Sequence, residues 1–380
     1  MKSRTHRDSN DRDADKVRYA VVGLGWIAQE AVLPGFANAP NSELAAFVTD
    51  DRKKAEKLGR QYNVDRIVDY NGYDDLVTSG AIDAVYITLP NHQHSDYTIR
   101  AARAGVHVLC EKPMAETELD CQQMIDAAAK GRAKLMIAYR LHFDPANLQA
   151  IETIKSGQIG EPRFFSSVFS QSVAEGNVRL KADLGGGPLM DMGVYCVNAA
   201  RYLFQDEPTE VMGLTAAKQG DPRFAEVPET VSAVMRFPGD RLAAFTCSFG
   251  GSAADELRVV GTKGDLRIEP VYDYHNKYTA YLTVEGKTEK KTYPRQDQFG
   301  AELLYFSDCV LNDVDPQPSG REGLADVRVV RAINAAAQSR IGVAVSPAAP
   351  PERPSVEREI KLPPVKPAEI VHAASPGGSE

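Results

Sequence analysis

The run Tyr19-Ala20-Val21-Val22-Gly23-Leu24-Gly25-Trp26-Ile27-Ala28 decides how the first third of the chain is read. Its apolar start has the length of a short buried strand, and its glycines stand where a strand turns directly into a helix. In such a turn the first glycine takes the sharp bend and the second lets the backbone approach a pyrophosphate. A small third residue, here Ala28, lets helix and strand pack closely. The phosphates of a dinucleotide then sit on the helix N-terminus, beside Trp26 and Ile27. A G-x-G-x-x-A spacing alone also fits an ordinary glycine turn, so the weight comes from the residues after it.

Those residues alternate between two patterns. Apolar runs over 44–48, 84–88, 106–110 and 135–138 read as strands, and 53–62, 95–104 and 116–130 read as helices. Strand, helix, strand repeated in this way predicts a doubly wound parallel sheet, a Rossmann domain over 17–140. Ligands bind such sheets beyond the carboxyl ends of the strands. Leu89-Pro90-Asn91-His92-Gln93-His94 and Glu111-Lys112-Pro113 fall there, and both loops are expected to line a cofactor cleft.

Near Tyr139 the rhythm changes. A helix over 145–156 is followed by β-type runs at 163–172, 210–217, 231–237, 242–249, 256–260, 265–268 and 278–284, several joined by glycine turns such as Pro238-Gly239-Asp240. Helices are expected at 189–204, 300–311 and 324–340. The fold class is therefore α/β plus α+β: a Rossmann domain, then a substrate-binding and oligomerisation domain over 141–345 built on an open, mostly antiparallel sheet. Residues 1–16 mix both charge signs and read as a flexible N-terminus. Residues 346–380 hold eight of the chain's 23 prolines and read as a tail that is solvated or, as the alternative, laid along a neighbouring subunit.

Composition sets limits. A net charge of −8 and the lack of a basic cluster interleaved with aromatics speak against nucleic acid. No run approaches the length of a membrane helix and no signal peptide is visible, so the expectation is a cytoplasmic protein with no membrane partner. Five scattered cysteines without a C-x-x-C pair fit reduced thiols. His92-Gln93-His94 is the nearest approach to a metal motif, and with no Cys or carboxylate partner nearby no metal is expected.

Two further segments carry chemistry. Glu111-Lys112-Pro113 supplies a lysine and Asp191-Met192-Gly193-Val194-Tyr195 a tyrosine, both able to move a proton. A cation beside a phenol favours the phenolate, and Lys112 is the cation the sequence offers Tyr195. On a helix over 189–204, Asp191, Tyr195 and Asn198 have the i, i+4, i+7 spacing of one face, expected to look into the cleft.

Val21-Val22-Gly23-Leu24-Gly25, Glu111-Lys112-Pro113-Met114, Leu135 to Arg140 and Gly185 to Tyr195 together resemble the glucose-fructose oxidoreductase family. Tyr139 to Pro145, Asp120 to Asp126 and the tyrosine at 195 are most similar to its branch of glucose-fructose and aldose-aldose oxidoreductases. The resemblance covers roughly Tyr19 to Val345. It implies that Lys112 contacts the nicotinamide side and the reacting hydroxyl, and that Tyr195 transfers the proton where many relatives carry histidine. Asp191 completes the catalytic set, and the substrate is expected against Arg140, His142, Arg179, Asp191 and Tyr195. The secretory leader and proline-rich N-terminal arm of the family's founding enzyme have no counterpart in residues 1–16, so location and assembly are not inherited from it.

The resemblance implies a nicotinamide cofactor held by Gly23, Gly25, Trp26, Ile27, Leu89, Pro90, Asn91, His94, Glu111 and Lys112. Its adenosine end meets Thr49, where related NAD enzymes carry an acid, with Arg52 and Lys54 nearby to hold a 2′-phosphate. NADP is favoured over NAD, with Asp50 as the residue that a one-position shift would bring to the ribose. The expected activity is hydride transfer between C1 of an aldose and tightly bound NADP, extending to reduction of a second sugar in a ping-pong cycle. The alternatives are an ordinary sugar dehydrogenase with exchangeable cofactor and a non-catalytic NADP-sensing regulator. A homodimer or homotetramer is expected from the open second sheet.

Overall fold

β1 (Val17–Val22) is buried along almost its whole length, and the chain leaves it directly into the glycine turn. With β2 (Ser42–Val48), β3 (Arg66–Val68), β4 (Ala84–Ile87), β5 (His107–Glu111) and β6 (Leu135–Ala138) it forms a wholly parallel sheet of order β3-β2-β1-β4-β5-β6 in the computed structural model. Residues 16–348, 352–366 and 369–378 are described in it. The expected flexible N-terminus lies outside them except for Lys16. Strands covered on both faces must be apolar throughout, which is why their runs are continuous rather than alternating. Helices Arg52–Tyr62, Tyr73–Thr78, His94–Arg103 and Glu118–Gly131 make the crossovers. The first and last of them are capped by Asp51 accepting from the Lys54 N–H (2.9 Å) and Thr117 accepting from the Asp120 N–H (3.1 Å).

β1 and β4 lie side by side at the point where the strand order reverses, so the crevice beyond their carboxyl ends is the ligand position of this topology. One element there corrects the sequence reading. Helix Gln298–Leu311, expected with the second domain, packs on the first sheet. Phe299, Leu303 and Phe306 share a core with Tyr19, Val21 and Phe47, and the Tyr19 hydroxyl lies 2.8 Å from Ser307 Oγ. An apolar helical stripe does not say which of two sheets it covers.

The second sheet joins β7 (Pro162–Ser170), β8 (Glu210–Ala216), β9 (Thr230–Phe237), β10 (Arg241–Ser248), β11 (Ala254–Gly261), β12 (Gly264–Glu269), β13 (Tyr278–Val284), β14 (Lys287–Tyr293) and β15 (Val343–Ala344) in the order β14-β13-β12-β11-β7-β10-β9-β8-β15. Among its described strands only β7 and β10 run parallel. β14 escapes sequence reading because it is an edge strand of mostly charged and threonine residues, exposed up to Tyr293. Helices Pro145–Lys155, Val194–Phe204 and Gly320–Ser339 accompany this sheet. Gly320–Ser339 approaches β8 closely where Gly213 lacks a side chain; a Cβ there would stand 2.9 Å from the Ile333 carbonyl oxygen. On the other face Phe164, Met212, Leu214, Val234 and Leu242 are exposed.

The described residues of the proline-rich tail do not hang free in solvent, although most keep an exposed side. They wrap over their own chain. Arg353 pairs with Glu207 (2.5 Å), the Ile360 N–H donates to the Phe143 carbonyl (3.3 Å), and the Leu362 carbonyl accepts from the Asp297 N–H (3.1 Å). Val371 is buried. Prolines deny the tail a fold of its own but not a bed on someone else's, since polyproline-like chain keeps its carbonyls free to accept.

Candidate active site

A cavity of about 960 Å³ opens at the crevice between the two sheets. Its floor on the dinucleotide side is the glycine turn. Gly23 has φ +88°, and a Cβ there would come within 2.9 Å of Leu89 and 3.1 Å of the Thr88 carbonyl. An ideal Cβ on Gly25 meets no heavy atom within 4 Å, so the backbone there is bared to the cavity, with the helix opening at Trp26. This is a cradle for an anion against helix N–H groups, and it fits a dinucleotide pyrophosphate. The loop after β4 is tied to the turn by Thr88 Oγ1, which donates to the Gly23 carbonyl (2.6 Å). His94 stands between the Leu89 and Pro113 carbonyls, 2.8 Å from each, and so holds the two cofactor loops in register. Burial keeps its pKa below the ordinary histidine value. Asn91 donates to the Gly185 carbonyl of the opposite wall (2.7 Å).

At the far end Thr49, Lys54 and Tyr70 line the cavity. Lys54 is half-buried there, and burial lowers its pKa against the attraction of Asp51. Neither Asp50 nor Asp51 lines the cavity. Asp50 is turned to the Tyr70 N–H (3.1 Å), and Asp51 caps the next helix. Arg52 departs from expectation: it is exposed and bonded to Glu56 (2.9 Å), because the first residue of helix Arg52–Tyr62 points outward once Asp51 is the cap.

The reactive end is assembled from four places in the sequence. Lys112 lies just past β5, and its Nζ donates to Asp191 Oδ1 and to the Asp191 carbonyl, both at 3.1 Å. Arg179 Nε holds the other carboxylate oxygen at 3.0 Å. Burial alone would raise the Asp191 pKa, but Lys112 and Arg179 overcome it and hold the carboxyl at about 2. Burial likewise opposes the Lys112 charge, and Asp191, Tyr195 and Glu111 outweigh it, so the ammonium is held above its ordinary pKa. The Tyr195 hydroxyl accepts from Arg140 Nε (3.2 Å), and its ring lies 5.0 Å from Lys112 Nζ. Arg140 is itself fixed by Gln298 and by the Tyr272 carbonyl. The cavity therefore presents the Tyr195 phenol beside two cations, Arg140 and the Lys112 ammonium, the latter aimed by the Asp191 carboxylate. Negative charge developing on an oxygen there is stabilised without rearrangement.

Glu111 lies behind Lys112. The Tyr86 hydroxyl bridges Glu111 and Glu302 at 3.2 Å each; burial raises both carboxyls, and Glu302, which also feels Glu111, is raised well above the usual range.

Besides Arg52, two expected residues fall outside the site. His142 is buried behind it, its ring 5.6 Å from that of Tyr139 and 4.6 Å from that of Tyr202. Burial, then Arg358 and Arg201, drives its pKa well below the ordinary value, leaving a neutral packing ring. Asn198 turns away to Asp326 Oδ2 (2.6 Å). Asp191 lies within a wide turn, Leu189–Gly193, closed by the Val194 N–H on the Leu189 carbonyl, which runs into helix Val194–Phe204, where Asn198 is buried one turn beyond Tyr195. Sequence reading also missed Tyr272 and Tyr274, which line the cavity from a loop whose N–H groups at Val271, Tyr272 and Asp273 all bond Asp255 (2.7–3.0 Å). The signal was present as the aromatic pair in Tyr272-Asp273-Tyr274 just past a strand. Ser375, Pro376 and Gly377 of the tail line the cavity as well, and no motif announced them.

Comparison with known proteins gives the same account. Residues 17–139 match the model of an oxidoreductase family with an NAD-binding Rossmann fold, and residues 147–267 match a GFO/IDH/MocA C-terminal domain. The chain is 33% identical over 343 residues to the NADP(+) D-xylose 1-dehydrogenase of Haloarcula marismortui, covering 88% of this chain and 95% of that protein. The crystal structure of aldose-aldose oxidoreductase from Caulobacter crescentus, complexed with glycerol, superposes with a TM-score of 0.83 at 36% identity, over 87% of this chain and 100% of that one. A 3-ketoreductase from Actinomadura kijaniata, crystallised with NADP and TDP-benzene, gives 0.77 at 25% identity over 84% and 98%. With the glycine turn, the lysine after β5 and the tyrosine across the cleft all in one cavity, the chain belongs to the GFO/IDH/MocA family and is an oxidoreductase with a nicotinamide-binding Rossmann domain.

Proposed function

We propose that the protein oxidises an aldose at C1 with NADP and reduces a second sugar with the hydride it has stored. The observation that carries this reading is the convergence of Lys112, Asp191, Arg179, Arg140 and Tyr195 on one cavity with the glycine turn. NADP, when bound, supplies the hydride acceptor for the oxidised carbon. The protein's own groups handle the proton. A sugar hydroxyl set against Lys112 is polarised by the ammonium, and its proton passes to the Tyr195 oxygen, which Arg140 Nε holds and whose ring lies beside Lys112. Asp191 keeps Lys112 aimed and charged. The same groups run backwards when a carbonyl is reduced, Tyr195 then giving its proton up. The relatives named for xylose and aldose substrates support a sugar in this cavity. Mass spectrometry of the supernatant from denatured purified protein, with a second measurement of turnover on an aldose plus a second sugar and no added cofactor, tests this reading. Cofactor-free turnover on stoichiometric bound NADP is expected, and a requirement for added cofactor at every turnover would reduce it to an ordinary dehydrogenase.

NADP is favoured at the adenosine end because Thr49 and Lys54 face the cavity and the carboxylates beside them do not. Thr49→Asp places a charge against the 2′-phosphate in a half-dry turn. It should weaken NADP binding about tenfold or more, about 1.4 kcal/mol, while NAD binds as well as before or better. Dissociation constants for both cofactors in parent and variant decide this, and an unchanged ratio would put Asp50 rather than Thr49 on the ribose.

The second copy we place on the bare face of the nine-stranded sheet. Phe164 and Leu242 are paired across β7 and β10, and Met212 and Val234 across β8 and β9; with Leu214 they expose apolar side chains on one face, interrupted by the Arg236–Glu210 ion pair. A two-fold axis over such a face makes a self-complementary dimer. Leu214→Asp, at a side chain 68% exposed, leaves the monomer's core untouched and should shift sedimentation toward the monomer. Equal oligomeric state in parent and variant would rule this face out. We place the protein in a reducing cytoplasm, in keeping with five buried, unpaired cysteines. Among the described residues no helix is long and apolar enough to cross a membrane.

A further inference from the structure

Beyond Leu362 the tail turns toward the mouth of the cofactor cavity, and its last described stretch, 369–378, touches both walls. On the dinucleotide-binding side Glu369 pairs with Lys57 (2.5 Å). The Val371 N–H donates to Gln29 Oε1 (2.7 Å), and Gln29 Nε2 donates back to the Val371 carbonyl (3.0 Å). Gln29 Nε2 also holds the Leu24 carbonyl (2.8 Å), so one buried amide ties the tail to the glycine turn itself. His372 Nδ1 stands 3.2 Å from Asp51 Oδ2, at the cap beside Thr49 and Lys54.

On the other wall the Ala174 N–H donates to the Pro376 carbonyl (2.8 Å), and Asn177 Nδ2 to the Ser375 carbonyl (3.4 Å). Gly378 closes a turn onto the Ser375 carbonyl with φ +85°, so near Ala174 that a Cβ there would lie 2.7 Å from the Ala174 Cβ. At this second attachment Ser375, Pro376 and Gly377 line the same cavity as Gly25 and Lys54. His372 holds φ +46°, backbone that residues with a Cβ avoid, and its neighbours' bonds on either side keep it there.

We propose that residues 369–378 are a strap across the cofactor cavity that keeps the dinucleotide in place between half-reactions, so that one NADP serves successive sugars. The proposal rests on the reading of this cavity as an NADP site. Its logic is mechanical: a ligand under a segment bonded to both walls leaves only after one set of bonds opens, and the barrier appears in the release rate. The anchors upstream are independent of the strap. Arg353 on Glu207, Leu362 on Asp297 and Pro363 on Asn38 (2.8 Å) all precede Lys366, so a chain ending at Lys366 loses the strap and keeps its bed.

Trp26, the chain's single tryptophan, lines the cavity, and its emission reports NADPH. The full chain, the chain ending at Lys366 and Gly378→Val, which unseats the turn on Ala174 without touching the core, are loaded with NADPH and chased with excess NADP. Release should quicken by about tenfold or more in the shortened chain and by a smaller factor in Gly378→Val. Amide exchange in the full chain gives a readout that needs no variant: the Val371 and Ala174 N–H groups should exchange more slowly with NADP bound. Equal release rates in all three, or exchange indifferent to NADP, would overturn the strap while leaving the cofactor site intact. A full chain whose Trp26 ignores NADPH would overturn the cofactor reading and the strap with it.

Discussion

Tyr195→Phe is expected to lower turnover about a hundredfold or more with NADP affinity little changed, since positioned proton transfer contributes about that much. The substitution removes one oxygen and keeps the ring, whose edge meets Phe169 at 5.7 Å and whose face lies 5.0 Å from both Lys112 Nζ and the Arg140 guanidinium. Arg140 keeps its bonds to Gln298 and Tyr272, so the cavity retains its shape and its charge. A loss confined to kcat, with KM for the sugar and Kd for NADP nearly as in the parent, marks a group acting only on the proton in flight. Near-normal turnover would remove Tyr195 from the chemistry and shift the proton-transfer role to Lys112.

How much of this was legible in the sequence differs by element, and the reasons are physical. The first sheet could be read because buried parallel strands are continuous apolar runs with short loops between them, and because Gly23 and Gly25 are glycines for reasons of backbone space rather than of chance. Only β3 and helix Tyr73–Thr78 were missed; three and six residues are too short to show a period. Lys112, Asp191 and Tyr195 could be named from motif, and they do converge. Neighbours chosen by spacing fared worse. Asn198 shares a helix with Tyr195, yet one turn further along it is buried and its side chain is taken by Asp326 of helix Gly320–Ser339, a partner that has no local sequence mark. Arg52 and Lys54 look equivalent in a basic run, but the position of the cap decides which one points inward. His142 stands two residues after Arg140 in a tight helical turn, which sends one side chain to the cavity and the other into the core. The tail was the largest error. Its composition rightly denied it an independent core, but Gln29, buried with both amide atoms spent on Val371, is a partner that only the folded chain reveals.

The Lys112–Asp191 pair makes the sharpest demand on the electrostatics. Lys112→Met keeps most of the length of the side chain and removes the ammonium that balances Asp191 and that we propose faces the sugar hydroxyl, and turnover should fall by about a hundredfold or more. Asp191→Asn tests the same pair from its other side. In the parent, burial works against the Lys112 charge and the Asp191 carboxylate is the largest influence restoring it, so Lys112 stays protonated beyond its ordinary value of 10.5. The carboxyl, held at about 2, stays ionised down to that pH, and no acid limb from this pair belongs in the neutral range. With asparagine at 191, burial is left opposed chiefly by Tyr195 and Glu111, and the Lys112 pKa falls. Activity that needs the ammonium must then be lost as pH rises through that lowered value, so the alkaline limb of the pH–rate profile should move to lower pH in Asp191→Asn. In Lys112→Met the limb set by Lys112 is gone altogether. Should both variants keep the parent's profile and lose only amplitude, the ammonium's charge is not what the reaction uses, and Lys112 serves to position the hydroxyl while Arg140 alone supports the phenol oxygen.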